Sequence, residues 1–421
     1  MLSTSKKQAT KSNDRRDPIA NGRAASRNPK LDVDRAINLV MELMTIPGPS
    51  GDERAVAEFI QNHLHAAGIP ANSLIADKAH RRTPLAGNVG NLILKLPGTQ
   101  RGPRRMLSAH MDTVPICVGS KPVRKGNLVA SADPRTGLGG DDRSGAAILL
   151  TAALEIVERH LPHPPLTFVW FVQEEIGLQG ARCVDVKKLG GPKLAFNFDG
   201  GPPEKVTIGA TGGYRMQITI EGRASHAGGA PQEGISAVAI AALSIADLAQ
   251  NGWHGLIQKR SKGGKLFAGT SNIGVIHGGH ATNVVTDRVE IKAEARSHDP
   301  AFRRRIVREI EQSFQRAARA VKNTAGQTGK VRIQGQLDYE SFHLATDEPS
   351  VLAAQDAIRS GGGEPMLAIS NGGLDANWLV AHGIPTVTLG CGQMNIHTTD
   401  EQLDLAAYRR ACQIALRLAT G

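Results

Sequence analysis

The sequence predicts an α/β domain split by a smaller inserted α+β domain of ferredoxin-like order, and three observations carry that prediction. The chain has 421 residues, beyond the size at which a single core usually stops growing, so two domains are expected. Short apolar runs bounded by Gly or Pro alternate with amphipathic helical patterns up to about residue 200 and again after 340, as buried strands and their covering helices do. Between them the patterns run strand, helix, strand, strand, helix, strand, the order of a ferredoxin-like unit. The boundaries that follow are a disordered basic tail over 1–30, a first part of the split domain over 31–210, the insertion over 211–340, and a second part over 341–421.

"LDVDRAINLVMELMTI" (31–46) has apolar residues at helical spacing, and "AVAEFIQNHLHAAG" (55–68) is a second amphipathic helix ending at Gly68. Between them lies "PGPSGDE", where Ser50 and Glu53 have the spacing of a capping box. That stretch reads as a helix start. "NLILKL", "RMLSAHM", "PLTFVWFV" and "KLAFNF" are buried strands, and "DDRSGAAILLTAALEIVERH" is a long helix between the second and third. The insertion supplies "YRMQITIEG", "ISAVAIAALSIADLAQ", "SNIGVI", "RVEIKAEAR", "PAFRRRIVREIEQSFQRAARAV" and "KVRIQGQLDY" in turn. A helix over 350–360, a Gly-rich loop, the helix "LDANWLVAHG", the strand "IPTVTLG" and a last helix from about 401 complete the chain.

Composition narrows the function classes. Hydrophobic residues make up 40% and charged residues 21%, ordinary for a globular protein, and no run approaches the roughly 18–20 apolar residues of a membrane span. The N-terminus has no apolar core for a secretory signal and too few large apolar residues for an amphipathic presequence. Eight Lys/Arg against two Asp put +6 of the net +11 in residues 1–30. The excess is mostly tail. The Arg-rich helix over 302–322 is interrupted by Glu309 and Glu311 and reads as a solvated face. With only 4% aromatic residues and no aromatic-interleaved basic strand, the sequence argues against nucleic acid as a partner. Cys117, Cys183, Cys391 and Cys412 are scattered without a CxxC pair, which suits a reducing cytoplasm.

Five stretches place acidic or histidine residues where strands give way to loops: "AHMD" (His110, Asp112), "GGDDRSG" (Asp141, Asp142), "QEEIG" (Glu174, Glu175), "FDGG" (Asp199) and "IHTTDE" (His397). Each has an ordinary explanation alone. Asp141 and Asp142 suit a helix N-terminus, Asp199 suits a turn, and a single His after a strand is commonly a structural residue. The C-terminal ends of strands in an open α/β sheet share one edge, however, so all five stretches can meet. His and carboxylate donors suit Zn²⁺, and two ions can share a carboxylate about 3.5–4 Å apart. His110, Asp199 and a shared Asp141 hold one metal in this reading, and Glu175, His397 and the same Asp141 hold the other. Asp112, two residues past His110, projects to the same side of an extended strand and can fix the tautomer of that histidine. Adjacent strand residues face opposite ways, so Glu174 and Glu175 divide into one ligand and one proton acceptor. Alternation leaves open which is which.

The ordered set "HMD", "DD", "QEEIG", "DGG" and "IHTTDE" resembles the peptidase T-like co-catalytic zinc peptidases, relatives of carboxypeptidase G, aminoacylase and the succinyl-diaminopimelate desuccinylases, from about residue 31 to the C-terminus. "QEEIGLQGA" and "DDRSG" are also similar to the tetrahedral aminopeptidases. Those insert their extra domain between the first His motif and the bridging Asp, and the gap from 112 to 141 is too short for one. The resemblance implies a mixed-sheet catalytic domain with an inserted lid and dimerisation domain, two Zn ions per subunit (Mn or Co suit the same donors), Glu174 as base and Glu175 as ligand. It implies further that His226, in "GRASHAGGAPQEG", stabilises the oxyanion of a partner subunit's substrate, and that Asn283 and Arg296 contact substrate. Gly372 and Gly373 in "SNGGLDAN" can offer backbone N–H groups to a substrate carboxylate. The expected activity is hydrolysis of short peptides by a homodimer. An N-acyl-amino-acid amidohydrolase would use the same two metals, and a non-catalytic metal- or nucleic-acid-binding protein is the alternative of another class.

Overall fold

Alternation within the apolar runs builds the main sheet. In the computed structural model, which describes Met1 and residues 31–421, the predicted basic tail lies outside the described residues. Leu92, Leu94, Leu107, Ala109, Phe168, Trp170, Phe196 and Phe198 pack into one buried cluster, while Ile93, Met106, Val169, Phe171 and Ala195 join another. Neighbouring residues of a strand face opposite ways, so strands apolar at both parities need cover on both faces. Helices Val33–Thr45, Gly140–Glu158 and Leu405–Thr420 cover the first face, and Gln179–Arg182 and Asp375–Ala381 cover the second. Gly140–Glu158 is buried from Gly140 through Ile156, as a helix apolar on every side must be.

Strands line up in the order Leu74–Ala76, Leu92–Leu96, Leu166–Phe171, Arg105–His110, Leu194–Phe198, Thr386–Leu389, Lys205–Ala210 and Phe342–His343, with Met366–Ser370 also paired to Lys205–Ala210. The four from Leu166–Phe171 to Thr386–Leu389 are parallel, so their C-terminal ends open on one edge. Their outer neighbours pair antiparallel, and the sheet is mixed. A small sheet of Gln393–Met394, Gln402–Asp404, Leu128–Ser131 and Pro122–Lys125 holds the turn that carries His397. The last helix therefore starts at Leu405 rather than near 401, because Gln402–Asp404 is spent on pairing with Leu128–Ser131.

Residues 212–339 form a second, antiparallel sheet in the order Gly255–Arg260, Leu266–Gly278, Arg288–Ser297, Gly212–Glu221, Lys330–Tyr339. Helices Ala237–Gln250 and Pro300–Ala320 pack on it around Met216, Ile218, Ile220, Ile291, Ile306, Ile310 and Phe314. Strand Gly255–Arg260 adds a fifth member to the predicted order. Its charged, mostly exposed "GLIQKR" gives no apolar run to read. The Ser50–Glu53 capping box does not form either: Glu53 is the N-cap of Arg54–Ala66 without a side-chain capping bond, Ser50 Oγ donates to Asp112, and Glu53 accepts from Gly51 and Gln173.

Leu149, fully buried in the central helix, tests this packing. Leu149→Ala is expected to lower stability by about 2–5 kcal/mol, read as a shift in the chemical denaturation midpoint.

Candidate metal centre

Each of three parallel strands ends at the site. His110 is the last residue of Arg105–His110, Asp199 directly follows Leu194–Phe198, and Glu174 and Glu175 follow Leu166–Phe171 after Val172 and Gln173. Asp141 stands at the start of Gly140–Glu158, joined to Asp142 by a cis peptide bond. Asp141 Oδ1 lies 3.2 Å from His110 Nε2 and its Oδ2 lies 3.1 Å from His397 Nε2. His397 Nε2 is in turn 3.0 Å from Glu175 Oε2. His110, Asp141, Glu174, Glu175, Asp199 and His397 line one cavity of about 500 Å³ with Lys205, Arg215, Arg296, Tyr339, Gly372 and Gly373.

The two glutamates lie beyond the end of their strand, in a turn, so strand alternation is not what separates them. The separation comes from their partners. Glu175 pairs with His397, whereas both its backbone N–H and that of Glu174 donate to Asp112 (3.2 and 2.9 Å). Asp112 likewise lies past its strand; its Oδ1 is 3.4 Å from His110 Nδ1, and its backbone carbonyl is 3.1 Å from the same nitrogen. Tied at Nδ1, His110 offers Nε2 to the cavity.

Burial and like charge shape the titration. Burial raises the pKa of Glu174 well above the ordinary carboxylate range, and it raises Glu175 as well, against the pull of His397. Asp199 is pushed to about 7 by burial and then by Asp141. Burial also opposes ionisation of Asp141, but hydrogen bonds from His110 and His397 outweigh it and its pKa is lowered. His397, bonded to Asp141 and Glu175, is raised to about 10. A set of buried carboxyls that bind protons for want of countercharge is what divalent cations relieve.

The donor set fits such ions. Atoms of His110, Asp141 and Glu175 lie within 4.8 Å of one another, and so do atoms of His110, Asp142 and Asp199. Asp142 is the weaker ligand of the second group. Its Oδ2 accepts from His110 N and its Oδ1 from Gly145 N and Gln393 Nε2, and it does not line the cavity that Asp141 and Asp199 reach.

Arg296 reaches the same cavity while holding Glu294 through Nε and Nη2 (3.0 and 2.9 Å). Gly372 and Gly373 line it too, with the Gly372 N–H donating to Ser370 Oγ. His226 and Asn283 are exposed neighbours on the second sheet's side, linked by the Ala227 N–H to Asn283 carbonyl bond and the His226–Val284 bridge. Neither lines the cavity.

Other buried groups escaped the sequence reading. Glu401 accepts from the backbone N–H of Gly139 and Asp141 (2.7 and 3.0 Å), fixing the start of the central helix. Gln393 donates to Gly140, Asp142 and Ser144 and accepts from Gly200 N. Asp375 is buried with both carboxyl oxygens unpartnered, and burial raises its pKa to about 8. Glu401 and Asp375 each stand within a quoted motif, but no spacing rule marks an acid that grips backbone or lies beneath a loop.

Comparison with known proteins places this arrangement. The sequence model of Peptidase family M20/M25/M40 matches residues 106–421. A tripeptidase structure from Staphylococcus aureus matches with a TM-score of 0.82 at 30% identity, covering 93% of this chain and 98% of that one. Aminopeptidase PepT from Bacillus cereus matches at 0.79 and 30% with the same coverage. The Bacillus subtilis protein YqjE is 29% identical over 386 residues, 91% of this chain and 97% of its own length. Among the described residues no helix is long and apolar enough to cross a membrane.

Metal uptake is expected to be linked to proton release. The metal-free protein holds a proton on His397 up to about pH 10 and on Asp199 up to about pH 7, whereas ligation needs both unprotonated. Calorimetric titration of metal into metal-free protein at pH 7.5, in buffers of different ionisation enthalpy, should show release of about one proton or more, with affinity falling as pH drops through 7. Buffer-independent heats would contradict this.

Proposed function

The chain belongs to peptidase family M20/M25/M40 and is a metal-dependent peptidase of that family; from that premise we propose a cytoplasmic homodimer that hydrolyses the amide bond of short peptides, as an exopeptidase, with two zinc ions per subunit. One observation carries the reading: the two oxygens of Asp141 face two different histidines, at 3.2 and 3.1 Å. One carboxylate can then serve two ions, His110 and Asp199 completing one and His397 and Glu175 the other. Histidine and carboxylate donors suit zinc, with Mn²⁺ or Co²⁺ acceptable to the same set. When bound, such ions supply Lewis-acid polarisation of the scissile carbonyl and of the attacking water.

The chain's own groups do the rest. Glu174 lines the cavity, while the glutamate that pairs with His397 is Glu175. Glu174 takes the proton of the attacking water and passes it to the leaving amine. A half-buried carboxyl whose pKa is raised by desolvation suits a group that must hold that proton between the two transfers. Asp112 keeps His110 in one tautomer and the Glu174 backbone in place.

His226 Nδ1 accepts from the N–H groups of Gly228 and Gly229 (3.1 and 3.0 Å), so its proton sits on Nε2, a donor suited to an oxyanion. Because His226 and Asn283 lie outside this subunit's cavity, the oxyanion they serve is assigned to the partner subunit. The segment 211–340 is then the lid and dimerisation domain between catalytic parts 31–210 and 341–421. Arg296, Gly372 and Gly373 are assigned to the substrate carboxylate. Cytoplasmic placement is supported by four free cysteines.

Glu174→Gln tests the assignment. Metal content should stay at the wild-type value while turnover falls by about 10²–10⁴-fold; retained turnover would remove Glu174 from the chemistry. A panel of di- and tripeptides beside N-acetyl and N-succinyl amino acids tests the substrate class, with peptides the expected substrates. Hydrolysis of acyl-amino acids alone would make the protein an amidohydrolase.

A further inference from the structure

Three consecutive backbone N–H groups, of Gln173, Glu174 and Glu175, all donate to buried carboxylates. Glu174 and Glu175 use the two oxygens of Asp112 (2.9 and 3.2 Å), and Gln173 uses Glu53 Oε1 at 3.0 Å. Both acids are fully buried. Gln173 has φ +55°, a left-handed conformation that residues other than glycine rarely adopt. Its side chain does not secure that conformation: the amide is buried without a hydrogen-bond partner and lies where Gly87 leaves room, 2.5 Å from the place a Cβ would take. The backbone does, through the N–H to Glu53 and the carbonyl that accepts from Gln179 N at 3.0 Å.

Glu53 is itself held. The same Oε1 accepts from Gly51 N at 2.9 Å, Ser50 Oγ donates to Asp112 at 2.6 Å, and Thr113 N donates to the Gly48 carbonyl at 3.1 Å. Arg143 Nη2 donates to Ile46 and Gly48 carbonyls, and a Cβ on Gly48 would stand 2.6 Å from that nitrogen. The loop is therefore locked against the strand ends that carry the site.

We propose that Glu53 is a positioning residue for Glu174: its carboxylate holds Gln173 in the left-handed conformation that aims the next side chain into the cavity. The proposal rests on the reading of Glu174 as general base. Asp112 accepts from the N–H of both glutamates, but the Glu175 carboxylate is also held by His397, so loss of Glu53 misplaces the base next to Gln173 and leaves the metal ligands alone. A group that only stabilised the fold would not separate kcat from metal content in this way.

The test compares E53A, E53Q, E53D, Q173G and E53A/Q173G with E174Q in the full chain, measuring metal content, kcat and KM on one short peptide. E53A should lower kcat by about tenfold or more with metal content and KM near wild type. E53Q should restore most of the loss, because its amide oxygen can accept both N–H groups. E53A/Q173G should recover kcat relative to E53A, since glycine adopts the left-handed conformation without the tether. If E53A does not fold, E53D, whose shorter side chain withdraws the acceptor from Gln173, should show the same kcat loss. Wild-type kcat in E53A or E53D, loss of metal in proportion to activity, or failure of both E53Q and E53A/Q173G to recover kcat would overturn the clamp. If E174Q retains turnover, it is the base assignment that fails; if E174Q is dead and the Glu53 variants are unaffected, the clamp alone fails.

Discussion

Bringing Asp141, Asp142, Glu174, Glu175 and Asp199 to one buried sheet edge is the constraint on which the rest of the structure depends. Carboxylates that close in a low-dielectric site cannot all ionise without countercharge. His110 and His397 compensate for part of it, and Asp141 is the carboxylate that both of them reach. The raised pKa values of Glu174, Glu175 and Asp199 register the remainder. Two divalent cations would supply that charge, and His110 with Asp141 and Glu175, and with Asp142 and Asp199, forms groups of donors close enough to hold an ion. The scaffold behind the donors is polar for the same reason. Glu401, Gln393, Asp112 and Glu53 take up the backbone N–H groups of Asp141, Gly200, Glu174 and Gln173, so the loops bearing these residues are held by hydrogen bonds satisfied away from the cavity.

The second sheet completes the cavity wall. Arg215, Arg296 and Tyr339 come from its strands, and Arg215 holds Asp338 at 2.8 Å. The Tyr339 ring sits so close to Gly213 and Gly373 that a Cβ on either would stand 2.9 or 2.6 Å from it. Gly373 is therefore needed for close packing between the two sheets' ends as well as for any contact with substrate. The same wall carries both cations and an aromatic ring, which suits the carboxylate and backbone of a peptide more than an apolar ligand.

Much of this was legible in the sequence. Apolar runs of strand length and the sharing of one edge by parallel strand ends bring His110, Glu175 and Asp199 together, whereas Asp141 arrives on a helix start and His397 on a turn of the small sheet. What escaped was set by contacts with no period. Glu53 and Gln173 are 120 positions apart, and nothing in "PGPSGDE" distinguishes a helix start from a clamp on a distant turn. The division between Glu174 and Glu175 follows from their different partners in a turn, not from alternation along a strand. Gly255–Arg260 was missed because a short, exposed strand with charged residues has no apolar face to show.

Anomalous diffraction from crystals of the metal-loaded protein is the most direct measurement. A shared site at Asp141 requires two peaks, roughly 3.5–4 Å apart, with one carboxylate oxygen of Asp141 toward each, His110 and Asp199 at the first and Glu175 and His397 at the second. A single peak, or a pair bridged by Asp142 with Asp141 left unbound, would contradict it.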